Sequence, residues 1–177
     1  MITYFLIWCV FAFNALKETS INNLFSKNTK LFLFLFLSIF IGLRYFVGCD
    51  YDTYWEIFYQ FANNQQGIDR QLDRLEPAFT YLNIFFGQFD YGYHFLNLIL
   101  GSIFSFCLIK FCSTLRRPWL ALTAAFPYFI IVVAMGYTRQ SVGIIISLIA
   151  LLYLEKGKFY RSILIIVFAT TFHRSAL

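Results

Sequence analysis

Residues 91–109 read YGYHFLNLILGSIFSFCLI. From Phe95 to Ile109 there is no Asp, Glu, Lys, Arg or His. An apolar stretch of this length approaches the roughly 20 residues a helix needs to cross a bilayer. Outward from it lie five further apolar runs, at residues 1–16, 31–47, 119–135, 140–154 and 162–172. The first has no basic leading segment and no small-residue cleavage site, so it reads as an uncleaved span rather than a removable signal. The whole chain, 1–177, is expected to be a single integral membrane domain. The fold class is all-α: a polytopic transmembrane helical bundle of about six spans plus one outer interfacial helix.

Composition agrees. Of 177 residues, 60% are hydrophobic and 13% charged, against about a quarter charged in soluble domains. That excludes a disordered chain and a coiled coil and disfavours a soluble enzyme. The net charge of +5 reads as basic cytoplasmic loops, not as a nucleic-acid surface, and no nucleic-acid partner is expected. Cys9, Cys49, Cys107 and Cys112 form no CxxC and no zinc spacing, so neither a disulfide framework nor a metal site is expected.

Charge sets the orientation. With the N-terminus outside, the inner loops carry Lys17, Lys27, Lys30, Lys110, Arg116, Arg117, Lys156, Lys158 and Arg161. Their only acids are Glu18 and Glu155. The reverse orientation violates the positive-inside bias. Residues 76–90, EPAFTYLNIFFGQFD, are too short to span. Phe79, Leu82, Phe86 and Phe89 recur at helical spacing, and Pro77 suits the first turn, so this segment is expected to lie on the outer interface.

Three spans then place a cationic or cationisable group just beneath the outer surface. Lys30 to Arg44 is 14 residues, roughly 21 Å of helix. Arg139 to Glu155 is 16 residues, roughly 24 Å. Arg161 to His173 is 12 residues, roughly 18 Å. Each falls short of the ~30 Å hydrocarbon core, and ionisable groups at that depth are costly enough to mark a functional site. Opposite them stand Asp50, Asp52 and Glu76, with Tyr45, Tyr51, Tyr54, Trp55, Tyr59, Tyr91 and Tyr93 around. Guanidinium forks in a poorly hydrated layer suit phosphate or diphosphate, a carboxylate can serve as base to a sugar hydroxyl, and aromatic faces stack on sugar rings.

Plainer readings stand beside these. Arg44 is also readable as a snorkelling anchor paired to Asp50, Arg139 as a structural residue in a tight turn at residues 136–139, and His173 as a buried core histidine. Asp69, Asp73 and Asp90 read as solvated loop acids. Asp50-Tyr51-Asp52 is a weak D-x-D signal with no metal expected.

Four blocks in order resemble the EpsG-like family of bacterial polysaccharide polymerases, the Wzy type. They are residues 44–54, RYFVGCDYDTY, matching R-x-x-x-G-x-D-x-x-x-Y at Arg44, Gly48, Asp50 and Tyr54; Glu76-Pro77-Ala78-Phe79; Arg139-Gln140; and Phe172-His173-Arg174-Ser175-Ala176-Leu177. Family members are longer, and this chain stops directly after the histidine block, so it is expected to be the N-terminal half of a longer protein. The resemblance implies a polymerase of capsule, exopolysaccharide or O-antigen. Such an enzyme joins oligosaccharide repeat units carried on undecaprenyl diphosphate, at the outer leaflet of the bacterial cytoplasmic membrane. No cofactor is implied, and a flippase and a chain-length regulator are the implied neighbours. The implied roles are diphosphate binding by Arg44, Arg139 and Arg174, and orientation or deprotonation of the acceptor by Asp50, Glu76 or His173. The rival reading is a transporter or flippase component handling the same glycolipid.

Overall fold

Ser26 opens the first well-capped helix: its backbone is extended and its Oγ accepts the Thr29 N–H at 3.1 Å. That satisfies one of the orphan donors of a helix start. The computed structural model describes residues 2–18, 25–63 and 76–174. Among these the chain is helical, with α1 (Ile2–Lys17), α2 (Lys27–Gly42), α3 (Tyr51–Ala62), α4 (Pro77–Phe86), α5 (Gly92–Cys112), α6 (Pro118–Ala125), α7 (Thr138–Glu155) and α8 (Phe159–Thr170). α6 runs on without interruption into a π-helical segment, Phe126–Ala134.

α5 lies at the centre. α2 runs along one side of it, and small residues let the two backbones close. A Cβ at Gly42 would stand 2.6 Å from Leu98 Cα, and one at Gly101 would stand 3.0 Å from Gly42 N. α7 packs on another side of α5 and pairs with α8, where Ser162 Oγ donates to the Ala150 carbonyl at 2.9 Å. α1 sits against α6: Trp8 Nε1 donates to the Thr123 carbonyl at 3.2 Å, and Phe11 meets the Phe126 ring edge-on at 5.3 Å. Leu37, Phe104, Phe126, Ile130 and Ile145 are fully buried where these helices meet. Outward, Phe5, Phe13, Phe32, Leu35, Leu164, Val167 and Phe168 are exposed, an apolar exterior that suits lipid rather than water.

All six apolar runs hold a helix. Two, Gly92–Cys112 and Thr138–Glu155, are long and apolar enough to cross a membrane. Ile2–Lys17, Pro118–Ala134 and Phe159–Thr170 are shorter apolar helices, and Lys27–Gly42 opens on a polar turn, KNTK, before its apolar part. The run at residues 31–47 is helical only to Gly42, which leaves Arg44 in the non-helical chain beyond it.

Between α2 and α5 the described residues hold two short helices, where the hydrophobic pattern leads one to expect one. α4 begins at Pro77 as expected, but its buried face is Phe79, Thr80, Asn83 and Phe86, while Phe89 is exposed. α3 forms in the acidic stretch between two apolar runs, where Asp52 and Glu56 interrupt the hydrophobic pattern. It buries Tyr51, Tyr54, Phe58 and Phe61 against α4 and the start of α5. Tyr93 anchors this layer, with its ring edge-on to those of Tyr51 at 5.5 Å and Trp55 at 4.9 Å. Tyr51, Tyr54 and Tyr93 therefore build the core of the layer, whereas Tyr45, Trp55, Tyr59 and Tyr91 are exposed.

Candidate functional site

The π-helical segment ends at Ala134, Tyr137 breaks the chain, and α7 starts at Thr138. Arg139 thus stands in the first turn of a helix, not in a turn between two. Over this break folds the segment from Arg44 to Asp50. Gly48 makes that fit possible: its φ is +111°, and a Cβ there would collide with the Met135 carbonyl oxygen. Only glycine meets both demands. The first motif and the Arg139 block are therefore docked on one another.

Arg44 is the buried half of that junction, with 5% of its surface exposed. Its Nη1 donates to the Ile41 carbonyl at 3.0 Å, and Nη2 donates to Asn97 Oδ1 at 3.4 Å and to Thr138 Oγ1. One guanidinium thereby ties the ends of α2, α5 and α7 together. It pairs with no carboxylate: the ion pairs among the described residues are Arg117 with Glu18 and Arg139 with Glu76. The reading of Arg44 as an anchor paired to Asp50 is therefore corrected. Its Nε has no hydrogen-bond partner among the described residues.

Arg139 is the accessible half. Nη1 donates to Glu76 Oε2 at 2.8 Å, and the side chain keeps 20% of its surface exposed against 8% for Glu76. The guanidinium lies 5.3 Å from the Phe79 ring centroid and 5.7 Å from that of Tyr54, within cation–π range. The other Glu76 oxygen, Oε1, accepts the Arg174 N–H at 3.3 Å. Glu76 caps α4 through its carbonyl, which accepts from the Thr80 N–H and hydroxyl, each at 3.1 Å. The Ala78 N–H, one turn-position on, reaches across to the Thr171 carbonyl at 3.0 Å. The start of α4 is thus bonded to the end of α8, which carries the histidine block.

His173 lies half-buried just past α8, within the electrostatic reach of Glu76 and Arg139. Burial lowers its pKa below the usual histidine value; Glu76 opposes that and Arg139 adds to it. Burial likewise pushes the Tyr54 phenol up, with Arg139 opposing. Asp50 precedes α3 and is half-buried, but its side chain makes no capping bond. Its charge acts on Tyr54 and Tyr137, so it faces the same layer. Arg174 enters through its backbone, and its side chain is exposed.

The structure brings Glu76, Arg139, His173 and Arg174 together, with Arg44 behind them through Thr138 and Asp50 beside them through Tyr54. Asn97 and Thr138 are site residues that the sequence motifs do not include. Each carries a signal: Asn97 is a lone amide in an apolar run, and Thr138 adjoins the motif residue Arg139. Asp69, Asp73 and Ser175 to Leu177 lie outside the described residues. Among the described residues no three His, Cys, Asp or Glu side chains gather as metal ligands.

The EpsG family model matches residues 27–177. The chain belongs to the EpsG family. Every motif residue named above falls inside that match, and only α1 and the residues just after it fall outside. Membership of the EpsG family, with the apolar helices, makes this a membrane protein of polysaccharide biosynthesis. No curated protein and no solved structure matches it.

Proposed function

We propose that this chain carries the diphosphate site of a membrane polysaccharide polymerase. The observation that carries the proposal is the Arg139–Glu76 pair, held between aromatic rings at one end of the bundle with Arg44, His173 and Arg174 around it. Among the described residues three guanidinium groups stand against two nearby carboxylates, and that surplus positive charge suits an anionic ligand. In this reading Glu76 keeps Arg139 aligned in the resting state. The diphosphate of the lipid-linked donor then replaces Glu76 on the guanidinium fork, with Arg174 adding a second contact and Arg44 supplying positive field from behind. Asp50 orients the acceptor hydroxyl, and neutral His173 takes its proton. The hydroxyl oxygen bonds to the anomeric carbon as the bond from that carbon to the diphosphate oxygen breaks. The lipid diphosphate leaves with its electron pair, stabilised by the arginines. In this reading the site faces the outer leaflet and receives its lipid substrate sideways from the bilayer.

One observation favours the rival reading, a glycolipid flippase component. Non-helical or distorted backbone inside apolar helices recurs in transporters, and here a π-helical segment leads to a break directly before Arg139. The full-length protein in liposomes supplied with diphosphate-linked repeat units separates the two. Release of chains longer than one unit supports the polymerase. Movement of units across the bilayer with no elongation overturns it in favour of the flippase.

A further inference from the structure

At the opposite end of the bundle a cavity of about 620 Å³ opens between α2 and α5. That volume falls in the ~300–1,000 Å³ range of small-molecule sites. Leu31, Phe34, Phe106 and Ile109 form its walls, and Lys30 and Lys110 stand at its rim. Neither lysine makes an ion pair among the described residues. Lys110 Nζ instead rests over the Tyr153 and Phe106 rings, 5.8 and 6.0 Å from their centroids. Ser113 and Thr114 complete the lining, but their hydroxyls donate to carbonyls of their own turn, at 2.6 and 2.7 Å. Positive charge at the rim therefore comes from the two ammonium groups alone.

We propose that this cavity binds an anionic phospholipid, with the headgroup phosphate between Lys30 and Lys110 and an acyl chain along Leu31, Phe34 and Phe106. The choice of occupant follows from the two-part lining. A soluble phosphate ester leaves four apolar walls wet, and a neutral lipid leaves two ammonium groups without a counter-charge in a layer of reduced dielectric. Basic pockets between helices at a membrane surface favour anionic headgroups for this reason. The site shares no residue with the diphosphate site, so it stands whether or not the polymerase reading does.

The test uses the full-length protein in detergent, titrated with phosphatidylglycerol or phosphatidylcholine while thermal unfolding is followed. Phosphatidylglycerol should raise the midpoint and phosphatidylcholine should not. In Lys30→Gln/Lys110→Gln the apparent affinity for phosphatidylglycerol should fall about thirtyfold, from two ammonium contacts at a membrane surface. Lys30→Arg/Lys110→Arg should retain it, which separates lost charge from misfolding. Equal stabilisation by both lipids, an unchanged response in the Gln variant, or equal protection by glycerol phosphate alone would each overturn the proposal.

Discussion

Arg44 and Arg139 looked alike in sequence, two arginines at matching depth, and the structure gives them different partners. Arg139 is open to its surroundings and answers to one carboxylate. Arg139→Lys keeps the charge and loses the planar fork, so turnover should fall about 30- to 1,000-fold with membrane abundance near normal. Accumulated lipid-linked repeat units, measured beside abundance, check this; normal polymer returns Arg139 to a structural role. Arg44 serves three helices at once. Arg44→Ala leaves buried acceptors on Ile41, Asn97 and Thr138 unmet, at about 1–3 kcal/mol for each orphaned group. Its signature should be a lowered unfolding midpoint before any specific loss of turnover. His173 adds a pH dependence. Its folded pKa lies below the unfolded value, so the unfolded chain takes up the proton first as pH falls. Stability should decline on acidification below about pH 6.5. As the proposed base it must be neutral, so the rate should fall over the same window, and His173→Gln should remove that acid limb. Had the limb survived in the variant, another group would own it. The charges themselves were legible because a charge at membrane depth needs a reason. Their pairing was not, since Glu76 finds Arg139 and Arg174 only through contacts 63 and 98 residues apart.

At the scale of elements, hydrophobic runs located every long helix. The helix at Tyr51–Ala62 was hidden by its acids, though Tyr51, Tyr54, Phe58 and Phe61 recur at the same spacing that identified its neighbour. The π-helical stretch had no such trace. FPYFIIVVA is apolar throughout, and uniform polarity carries no period. Gly48 shows what a motif glycine is for: it lets one loop seat on the break before α7. Gly48→Ala combines a left-handed backbone with a clash and should destabilise by about 1–3 kcal/mol. Because that loop positions Arg44 and Asp50, turnover should drop further than stability alone accounts for. Gly42→Ala forces α2 and α5 apart and should cost a similar ~1–3 kcal/mol by overpacking. Thermal unfolding of the two variants in one detergent compares them, and wild-type midpoints would deny the close approach.

For the whole molecule, the basic loops gather at one end and the candidate site at the other. That division predicts the orientation. Cys49 is exposed at the site end. With the other three cysteines replaced by Ser, an impermeant maleimide added to intact cells should label Cys49. It should not label Arg116→Cys in a chain lacking all four native cysteines. The reverse pattern would turn the molecule over and put the site in the cytoplasm. The bonds from Glu76 to Arg139 and Arg174 also set a timetable. Synthesis proceeds at about 5–20 residues per second, so the partner guanidinium is made roughly 3–13 s after the carboxylate, and the Arg174 amide roughly 5–20 s after it. For that interval Glu76 is without the two partners that hold its carboxylate in the folded chain, and the ribosome, not the bilayer, decides how long the nascent chain waits for them.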